Sequence, residues 1–211
     1  IVDTPGTNAV IRFHERLTLS LKSDLKGAAL RYTLDDTEPT EQSPSYESPV
    51  KLTDTATVKK LERMALQLRI DLLDILGVGK VGHLGGSSSM AEIAACLYFH
   101  AMRYDPKNPK DPDRDRFLLS KGHCVLIQYA ALVELGVVPR AELKKVKTLE
   151  GCLQGHPDMD RTPGIEAVTG SLGMGLSIGL GMALGFRLDR RPSRVYVVMG
   201  DGELSEGQIW E

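Results

Sequence analysis

An aspartate between two glycines follows the last predicted strand of this sequence. The β-branched, apolar run from Arg194 to Met199 predicts a buried strand, and Gly200-Asp201-Gly202 comes directly after it. A carboxylate is a hard oxygen ligand for Mg²⁺ or Ca²⁺, and glycine lets a backbone come close to phosphate oxygens. Because open α/β sheets bind ligands at the carboxyl ends of their strands, the pattern favours a metal and diphosphate site. The alternative is a plain tight turn, for which Asp-Gly is a common dipeptide.

Three of the five histidines directly follow a glycine and lie in predicted loops, namely His83, His123 and His156. A single loop histidine is usually only solvated. Imidazoles on loops that a parallel sheet gathers at one edge can donate to diphosphate oxygens and sugar hydroxyls, and can move protons near neutral pH. The repeated setting predicts that the three side chains converge on one cleft. His14 and His100 lack this setting and are interpreted as structural.

Five short motifs, taken in chain order, resemble one enzyme family. They are Gly82-His83-Leu84-Gly85-Gly86-Ser87, Ser120-Lys121-Gly122-His123, Gln154-Gly155-His156-Pro157, Thr169-Gly170-Ser171-Leu172-Gly173-Met174-Gly175-Leu176-Ser177 and Gly200-Asp201-Gly202. Together they resemble the amino-terminal, cofactor-diphosphate-binding part of transketolase, especially the form encoded as two separate subunits, from about Leu61 to Glu211. Two positions depart from the family pattern: Leu84 replaces the usual Pro, and Met174 stands where Gln is common.

The resemblance assigns the three histidines and two further residues to a cofactor and a substrate. It implies that His83 touches the sugar substrate, that His123 contacts the diphosphate side of thiamine diphosphate, and that His156 lies by the aminopyrimidine and the substrate. Gly170 and Leu172 match positions that pack on or bond to the aminopyrimidine. The implied thiamine diphosphate site is therefore made of several separate loops.

The resemblance also assigns the acidic residues near the end of the sequence. It implies that Asp201 binds the metal and that the amide of Gly202 contacts the diphosphate. It also implies that Glu206 belongs to the hydrogen-bond network that reaches the partner's active site. The implied cofactors are thiamine diphosphate and Mg²⁺ (or Ca²⁺). In the family, the remaining metal ligands lie beyond the position of Glu211, and the Glu that activates the aminopyrimidine lies on the pyrimidine-binding domain of the other subunit. The segment is therefore expected to be catalytically inert alone.

The activity that the resemblance implies is ketol transfer in cytoplasmic carbohydrate metabolism, in the pentose phosphate pathway. A two-carbon unit passes from a ketose phosphate to an aldose phosphate, with the cofactor as electron sink. The implied partners are sugar phosphates and a carboxyl-terminal transketolase subunit or domain, in a homodimer or heterotetramer. Another thiamine diphosphate enzyme, such as a deoxyxylulose-phosphate synthase or a dehydrogenase E1 component, is one alternative. A different class of function stays open, a carbohydrate-associated β-module with an incidental extension.

The hydrophobic periodicity of residues 58–211 predicts an α/β fold, a parallel sheet with helices on both faces that is incomplete at its carboxyl end. A helix is predicted from Val58 to Gly77, and a second over 89–103 that begins with a capping box of Ser89 and Glu92. Further predicted elements are a strand over 117–120, helices near 123–135, 140–149 and 172–188, and the final strand. The glycines predicted to line a close contact of the helix over 172–188 are Gly173, Gly175, Gly179, Gly181 and Gly185.

The first part of the chain, residues 1–57, has a different pattern and is predicted to be a domain of its own. Short alternating runs over 17–21, 30–34 and 50–52 are separated by turn residues, which predicts a small β-sandwich-like segment. The stretch from Arg31 to Thr40, with the Ser- and Thr-containing segments after it, resembles the accessory carboxyl-terminal β-domain of chitobiases and β-hexosaminidases.

Composition limits the remaining classes of function. The 211 residues carry a net charge of −2, so no basic surface argues for nucleic acid. No apolar stretch has the length of a membrane span. Three cysteines without metal-ligand spacing predict small buried thiols in a reducing compartment. The absence of an initiator Met and the abrupt end at Glu211 suggest an excerpt from a longer chain.

Overall fold

The computed structural model describes residues 17–19, 50–52, 55–77 and 82–211. The chain divides into two compact units, Ile1–Val58 and Lys59–Glu211. In the first unit, strands β1 (Leu17–Leu19) and β2 (Val50–Leu52) pair antiparallel, with Leu17 opposite Leu52. The predicted strand over 30–34 lies outside the described residues. A separate domain over residues 1–57 stays a prediction.

Helix α1 (Thr55–Leu76) has the periodicity that the sequence predicts. Its buried side chains include Leu68, Leu72 and Ile75, which share one face at helical spacing. The helix ends where Gly77 adopts a left-handed conformation with φ of +44°, and the Gly77 amide bonds the Leu73 carbonyl at 2.8 Å. The predicted helix stop is confirmed.

From residue 82 to residue 211, the second unit alternates helices with two strands. Its elements are α2 (Leu84–Ser88), α3 (Ala91–Cys96) continued by a π-helical turn (Leu97–Ala101), β3 (Arg116–Leu119), α4 (Val125–Glu134), α5 (Met174–Leu188), β4 (Val195–Val198) and α6 (Gly207–Trp210). Short 3₁₀ turns lie at Gly122–Cys124, Arg140–Lys145 and Gly202–Ser205.

Strands β3 and β4 form the parallel pair that positions the site. Arg116 lies opposite Val195 and Leu119 lies opposite Val198, so both strands end at the same edge. The residues after them, beginning at Ser120 and Met199, therefore start side by side. This pair and its surrounding helices confirm the predicted α/β class.

The hydrophobic core of the second unit lies between α1, α3, α4 and β3. Residues 125–133 of α4 are all buried, with Tyr129 among the largest fully enclosed side chains. Small residues of α3, such as Ala94, and strand residues such as Phe117 pack in the same cluster. Helix α4 is therefore a central support for the loops at its two ends.

The single helix predicted over 89–103 is wrong in its boundaries and in its start. The Ser89 hydroxyl donates to the Gly86 carbonyl at 3.1 Å, so it closes the turn after α2 and does not cap α3. Glu92 forms a bidentate pair with Arg69 of α1, at 2.6 and 2.7 Å. The pair with Arg69 joins two full charges through two parallel hydrogen bonds, whereas a capping box would give Glu92 one bond to a backbone amide, so Glu92 points to Arg69. The predicted capping box is therefore absent.

The helix predicted over 140–149 is shorter than expected. The structure has a 3₁₀ turn over Arg140–Lys145, and the chain leaves it in extended conformation at Val146. Lys147 then adopts a positive φ of 62°, which is incompatible with a continuing helix.

The predicted glycine stripe of α5 is only partly a close contact. Gly175 packs directly on Ser120, and a Cβ on Gly179 would lie 2.5 Å from Cγ2 of Val197. Gly181 and Gly185 instead face open space, with nothing within 4 Å of an added Cβ. The side of α5 that faces the strands therefore needs glycine, and the opposite side does not.

Substitution of these helix glycines is expected to have opposite effects on stability. Gly179→Ala forces a methyl group into the β4 contact and is expected to lower the unfolding free energy by about 1–2 kcal/mol, after the gain in helix propensity is counted. Gly181→Ala adds only helix propensity and is expected to raise it by up to about 1 kcal/mol. Urea unfolding midpoints of the two variants test this, and equal midpoints would contradict the packing described for α5.

The buried thiols that the sequence predicts are confirmed only in part. All three cysteines are free, and Cys124 is buried as predicted, but Cys96 is exposed because the buried face of α3 is formed by its alanines.

Across the described ranges, no helix combines the length and the apolar character needed to cross a membrane.

Candidate active site

The loop after β3 and the loop before α5 are in direct backbone contact at the carboxyl edge of the strands. A Cβ on Gly122 would lie 2.6 Å from the Thr169 carbonyl oxygen and 2.9 Å from the Gly170 nitrogen. The Thr169 hydroxyl also donates to the Leu119 carbonyl at 2.6 Å. Because only glycine fits at position 122, the sequence brings His123 next to Gly170 through the backbone itself.

The three predicted histidines lie around this contact. The ring centroids of His83 and His123 are 4.8 Å apart in an edge-to-face arrangement. His156 packs on Gly170, where a Cβ would lie 2.8 Å from Cδ2 of the imidazole. Gly170 has a positive φ of 151°, which strains other residues, so both conformation and space favour glycine there. His156 and His83 are both close enough to His123 to lower its pKa, so imidazoles from three separate loops come together, as the sequence pattern predicts.

Tyr129 holds the loop that carries His156. Its hydroxyl donates to the His156 carbonyl at 3.1 Å and accepts from the Gln154 amide at 3.2 Å. Burial in α4 raises the pKa of this phenol to about 12, so it stays a proton donor. Tyr129 was not identified from the sequence. The one signal was a hydroxyl within an otherwise apolar helix, and buried tyrosine hydroxyls usually have a partner.

The environment of His123 favours its neutral form. Burial lowers the pKa of this imidazole below its usual value near 6.5, and the charge of Glu203 acts in the opposite direction with a smaller effect. Three other basic groups lower the pKa further: His83, Lys121 and His156. A neutral imidazole donates from one ring nitrogen and accepts at the other, so His123 can serve either type of hydrogen bond.

This environment predicts a pH dependence of stability with a definite sign. The folded pKa of His123 lies below the unfolded value near 6.5, so the unfolded chain takes up the proton more readily. The stability that neutral His123 contributes is therefore full above about pH 7 and falls as the pH drops through about 6.5 toward the folded pKa. Unfolding midpoints between about pH 7.5 and pH 5.5 are expected to fall less in His123→Gln than in the parent chain. An NMR titration that places the His123 pKa above 6.5 would contradict this.

Lys121 connects two of the predicted motifs. Its ammonium donates to the Gly86 carbonyl at 3.1 Å, beside the His83 loop. Its aliphatic chain lies against Gly200, where Cδ would be 3.7 Å from an added Cβ. A cation between these loops favours anionic groups in the cleft. The sequence pattern includes Lys121 in a motif but predicts no role for it.

The most connected residue of the site, Glu203, was not identified from the sequence. Its side chain is only 2% exposed. It accepts hydrogen bonds from the Gly173 and Gly200 amides, each at 2.9 Å, and from the Ser120 hydroxyl. The available signal was weak, an acid next to Gly-Asp-Gly, and sequence alone did not show that it points inward.

The other predicted site residues lie at the surface of the same edge. Asp201 is exposed and begins the 3₁₀ turn, with its carbonyl accepting from the Leu204 amide at 3.2 Å. Gly202 is exposed, with no atom within 4 Å of an added Cβ. Leu172 is 38% exposed just before α5. Glu206 is exposed and lies beside Gly173: its Cβ would be 3.2 Å from a Cβ added to that glycine.

The donor set fits a metal that a diphosphate helps to hold. Within the part of the chain that the structure describes, no group of three or more His, Cys, Asp or Glu residues is arranged to hold a metal ion. Asp201 offers one exposed carboxylate at the strand edge. Magnesium is usually held by one or two carboxylates together with phosphate oxygens, so this arrangement suits a metal and diphosphate pair better than a metal alone.

Comparison with known proteins identifies the family. The family model "Transketolase, thiamine diphosphate binding domain" matches residues 61–211. The chain belongs to this family. A second family model, "Fn3 associated", matches residues 19–72. The chitobiase-like resemblance predicted for this first part has no support in the comparisons, which favour the transketolase interpretation over a β-module with an incidental extension.

Individual relatives agree with this membership. The chain is 46% identical over 151 residues to the 6-deoxy-6-sulfo-D-fructose transketolase subunit SqwG of Clostridium sp. (strain MSTE9), covering 72% of this chain and 55% of that protein. It is 42% identical to an apulose-4-phosphate transketolase subunit of Phocaeicola vulgatus, covering 73% and 54%. The transketolase structure from Campylobacter jejuni superposes with a TM-score of 0.66 at 29% identity, covering 72% and 25%. The chain thus spans about half the length of these two subunits.

Proposed function

We propose that this chain is the diphosphate-binding part of a transketolase, which transfers a two-carbon ketol unit from a ketose phosphate to an aldose phosphate. One observation supports this above the others: His83 lies against His123 and His156 lies against Gly170, at the strand edge where Asp201 also lies. Such a cleft offers donors for phosphate and sugar oxygens, glycine surfaces for a flat ring, and a carboxylate for a metal.

Asp201, Gly202 and His123 are proposed to hold the diphosphate end of thiamine diphosphate. The exposed carboxylate of Asp201 binds Mg²⁺ (or Ca²⁺), and the open space around Gly202 lets its amide approach a phosphate oxygen. His123, neutral in its half-buried position, donates from one ring nitrogen to the diphosphate.

Gly170, Leu172 and His156 are proposed to hold the aminopyrimidine end. The bare backbone of Gly170 and the partly exposed side chain of Leu172 provide a surface on which a ring can pack. His156, fixed through its carbonyl by Tyr129, lies beside that surface. When bound, the cofactor supplies an electron sink that allows the carbon–carbon bond next to a ketone to break.

His83 is proposed to contact the sugar. It is exposed, lies on the outer side of His123, and can exchange hydrogen bonds with substrate hydroxyl groups. His156 borders the same space and is proposed to contact the substrate as well. These residues orient the sugar and can hold a proton at an imidazole nitrogen during bond cleavage.

A partner that carries the pyrimidine-binding domain is proposed to complete the site. Glu206 is exposed beside the start of α5, a position from which an acid can join a hydrogen-bond network across a subunit boundary. Two curated relatives are themselves described as transketolase subunits, which supports assembly with a carboxyl-terminal subunit or domain. The same proposal includes assembly as a homodimer or heterotetramer. It also includes sugar phosphates of the pentose phosphate pathway as substrates and the cytoplasm as the location.

The proposal is tested by activity of the assembled enzyme. The protein, combined with its pyrimidine-binding partner, is expected to transfer two carbons between a ketose phosphate and an aldose phosphate only when thiamine diphosphate and Mg²⁺ are both added. His83→Ala is expected to raise KM for the sugar more than it changes cofactor affinity. Cofactor-dependent decarboxylation of a 2-oxo acid donor such as pyruvate, in place of cleavage of a ketose phosphate, would favour a different thiamine diphosphate enzyme.

A further inference from the structure

We propose that Glu203 is a positioning residue that fixes where Asp201 stands relative to the start of α5. The inference rests on the proposed function, since it concerns how the metal ligand and the cofactor surface are held together. Glu203 itself is buried and is not proposed to touch metal, cofactor or substrate.

Glu203 joins three segments that are far apart in the sequence. Its Oε1 accepts from the Gly173 amide at 2.9 Å and from the Ser120 hydroxyl. Its Oε2 accepts from the Gly200 amide at 2.9 Å. The Ser120 hydroxyl oxygen in turn accepts from the Gly175 amide at 3.1 Å. One carboxylate thus connects the end of β3, the start of α5 and the turn after β4.

The connected atoms lie directly beside the proposed ligand positions. Gly200 precedes Asp201, and Gly173 follows Leu172. A metal shared by Asp201 and a diphosphate binds well only if the carboxylate and the cofactor surface keep a fixed separation. Because the two oxygens of one carboxylate bond the Gly173 and Gly200 amides, that separation is set by a single rigid group.

Burial makes the arrangement selective for a carboxylate. A buried carboxylate is unfavourable unless donors surround it, and here two amides and a hydroxyl do so. A glutamine of the same shape offers one acceptor oxygen and an NH₂ group, so it cannot accept from both amides through separate oxygens. Glu203→Gln therefore releases one of the two segments with little change in volume.

The first measurement is hydrogen exchange in the cofactor-free protein. Glu203→Gln is expected to speed amide exchange in 170–175, in 199–203 or in both, and nowhere else in the second unit, while Glu62→Gln, an exposed change on α1, leaves both segments unchanged. Exchange that rises throughout the second unit, or in neither segment, would overturn the positioning role. If Glu203→Gln does not fold, Ser120→Ala removes one donor and leaves both amide bonds. It is expected to produce the same local pattern to a smaller extent.

The second measurement separates positioning from general destabilisation. The affinity of the assembled protein for thiamine diphosphate is measured with Mg²⁺ and with EDTA. Mg²⁺ strengthens cofactor binding by a certain factor in the parent protein. In Glu203→Gln this factor is expected to be about 10- to 100-fold smaller, as for other residues that orient metal ligands. An equal loss with and without Mg²⁺ would overturn the inference. No binding by the parent protein would refute the proposed function instead, while the exchange result would still report on Glu203.

Discussion

Gly122→Ala is expected to lower kcat/KM of the assembled enzyme by about 100-fold, the cost of displacing a reacting site by about 1 Å. The added Cβ would lie 2.6 Å from the Thr169 carbonyl oxygen and 2.9 Å from the Gly170 nitrogen. Neither backbone atom can move away as a flexible side chain would. The loop with His123 must therefore separate from the loop that carries Gly170, and the proposed diphosphate and aminopyrimidine contacts move apart.

Gly181→Ala is the matched control for Gly122→Ala, because an added Cβ at Gly181 meets nothing within 4 Å. We expect this control to keep the kinetic constants of the parent enzyme. Steady-state kinetics and urea unfolding are measured together, since Gly122→Ala is also expected to cost about 1–3 kcal/mol of stability through overpacking. Parent-like kcat/KM in Gly122→Ala would show that the loop contact does not matter for the reaction.

Asp201→Ala is expected to abolish Mg²⁺-dependent binding of thiamine diphosphate. The substitution removes the carboxylate proposed to hold the metal, so the diphosphate loses the cation that neutralises it. Stability without cofactor is expected to change by less than about 0.5 kcal/mol, because the side chain is exposed. Isothermal titration with thiamine diphosphate and Mg²⁺ measures the affinity.

Asp74→Ala provides the control for Asp201→Ala, because it removes an exposed carboxylate of α1. We expect its titration to match that of the parent protein. If Asp201→Ala retained the parent affinity in Mg²⁺, the assignment of Asp201 as the metal ligand would be refuted.

The features predicted well from the sequence are those that local patterns determine. Helical spacing and the glycine stop of α1 depend on the chain's own periodicity and on Gly77. The edge at which β3 and β4 both end could be predicted from two apolar runs that lead to Ser120 and Gly200, because the carboxyl ends of parallel strands lie side by side. The repeated Gly-His pattern predicted the meeting of His83 and His123 for the same reason.

The features that the sequence did not reveal depend on partners distant along the chain. Glu92 fits a capping box by spacing, yet Arg69 of another helix attracts it. Glu203 looks like an ordinary polar residue of a turn, and only the meeting of Ser120 and Gly173 makes it a buried hydrogen-bond centre. Gly181 fits a packing stripe by sequence, but it lies on the side of α5 that faces open space.

The central claim is that the carboxyl edge of β3 and β4 binds the diphosphate end of thiamine diphosphate. A crystal structure of the assembled enzyme with thiamine diphosphate and Mg²⁺ tests this most directly. We predict the metal on the Asp201 carboxylate, the diphosphate between the Gly202 amide and His123, and the aminopyrimidine against Gly170. A cofactor bound with its diphosphate away from Asp201 and His123 would contradict the account.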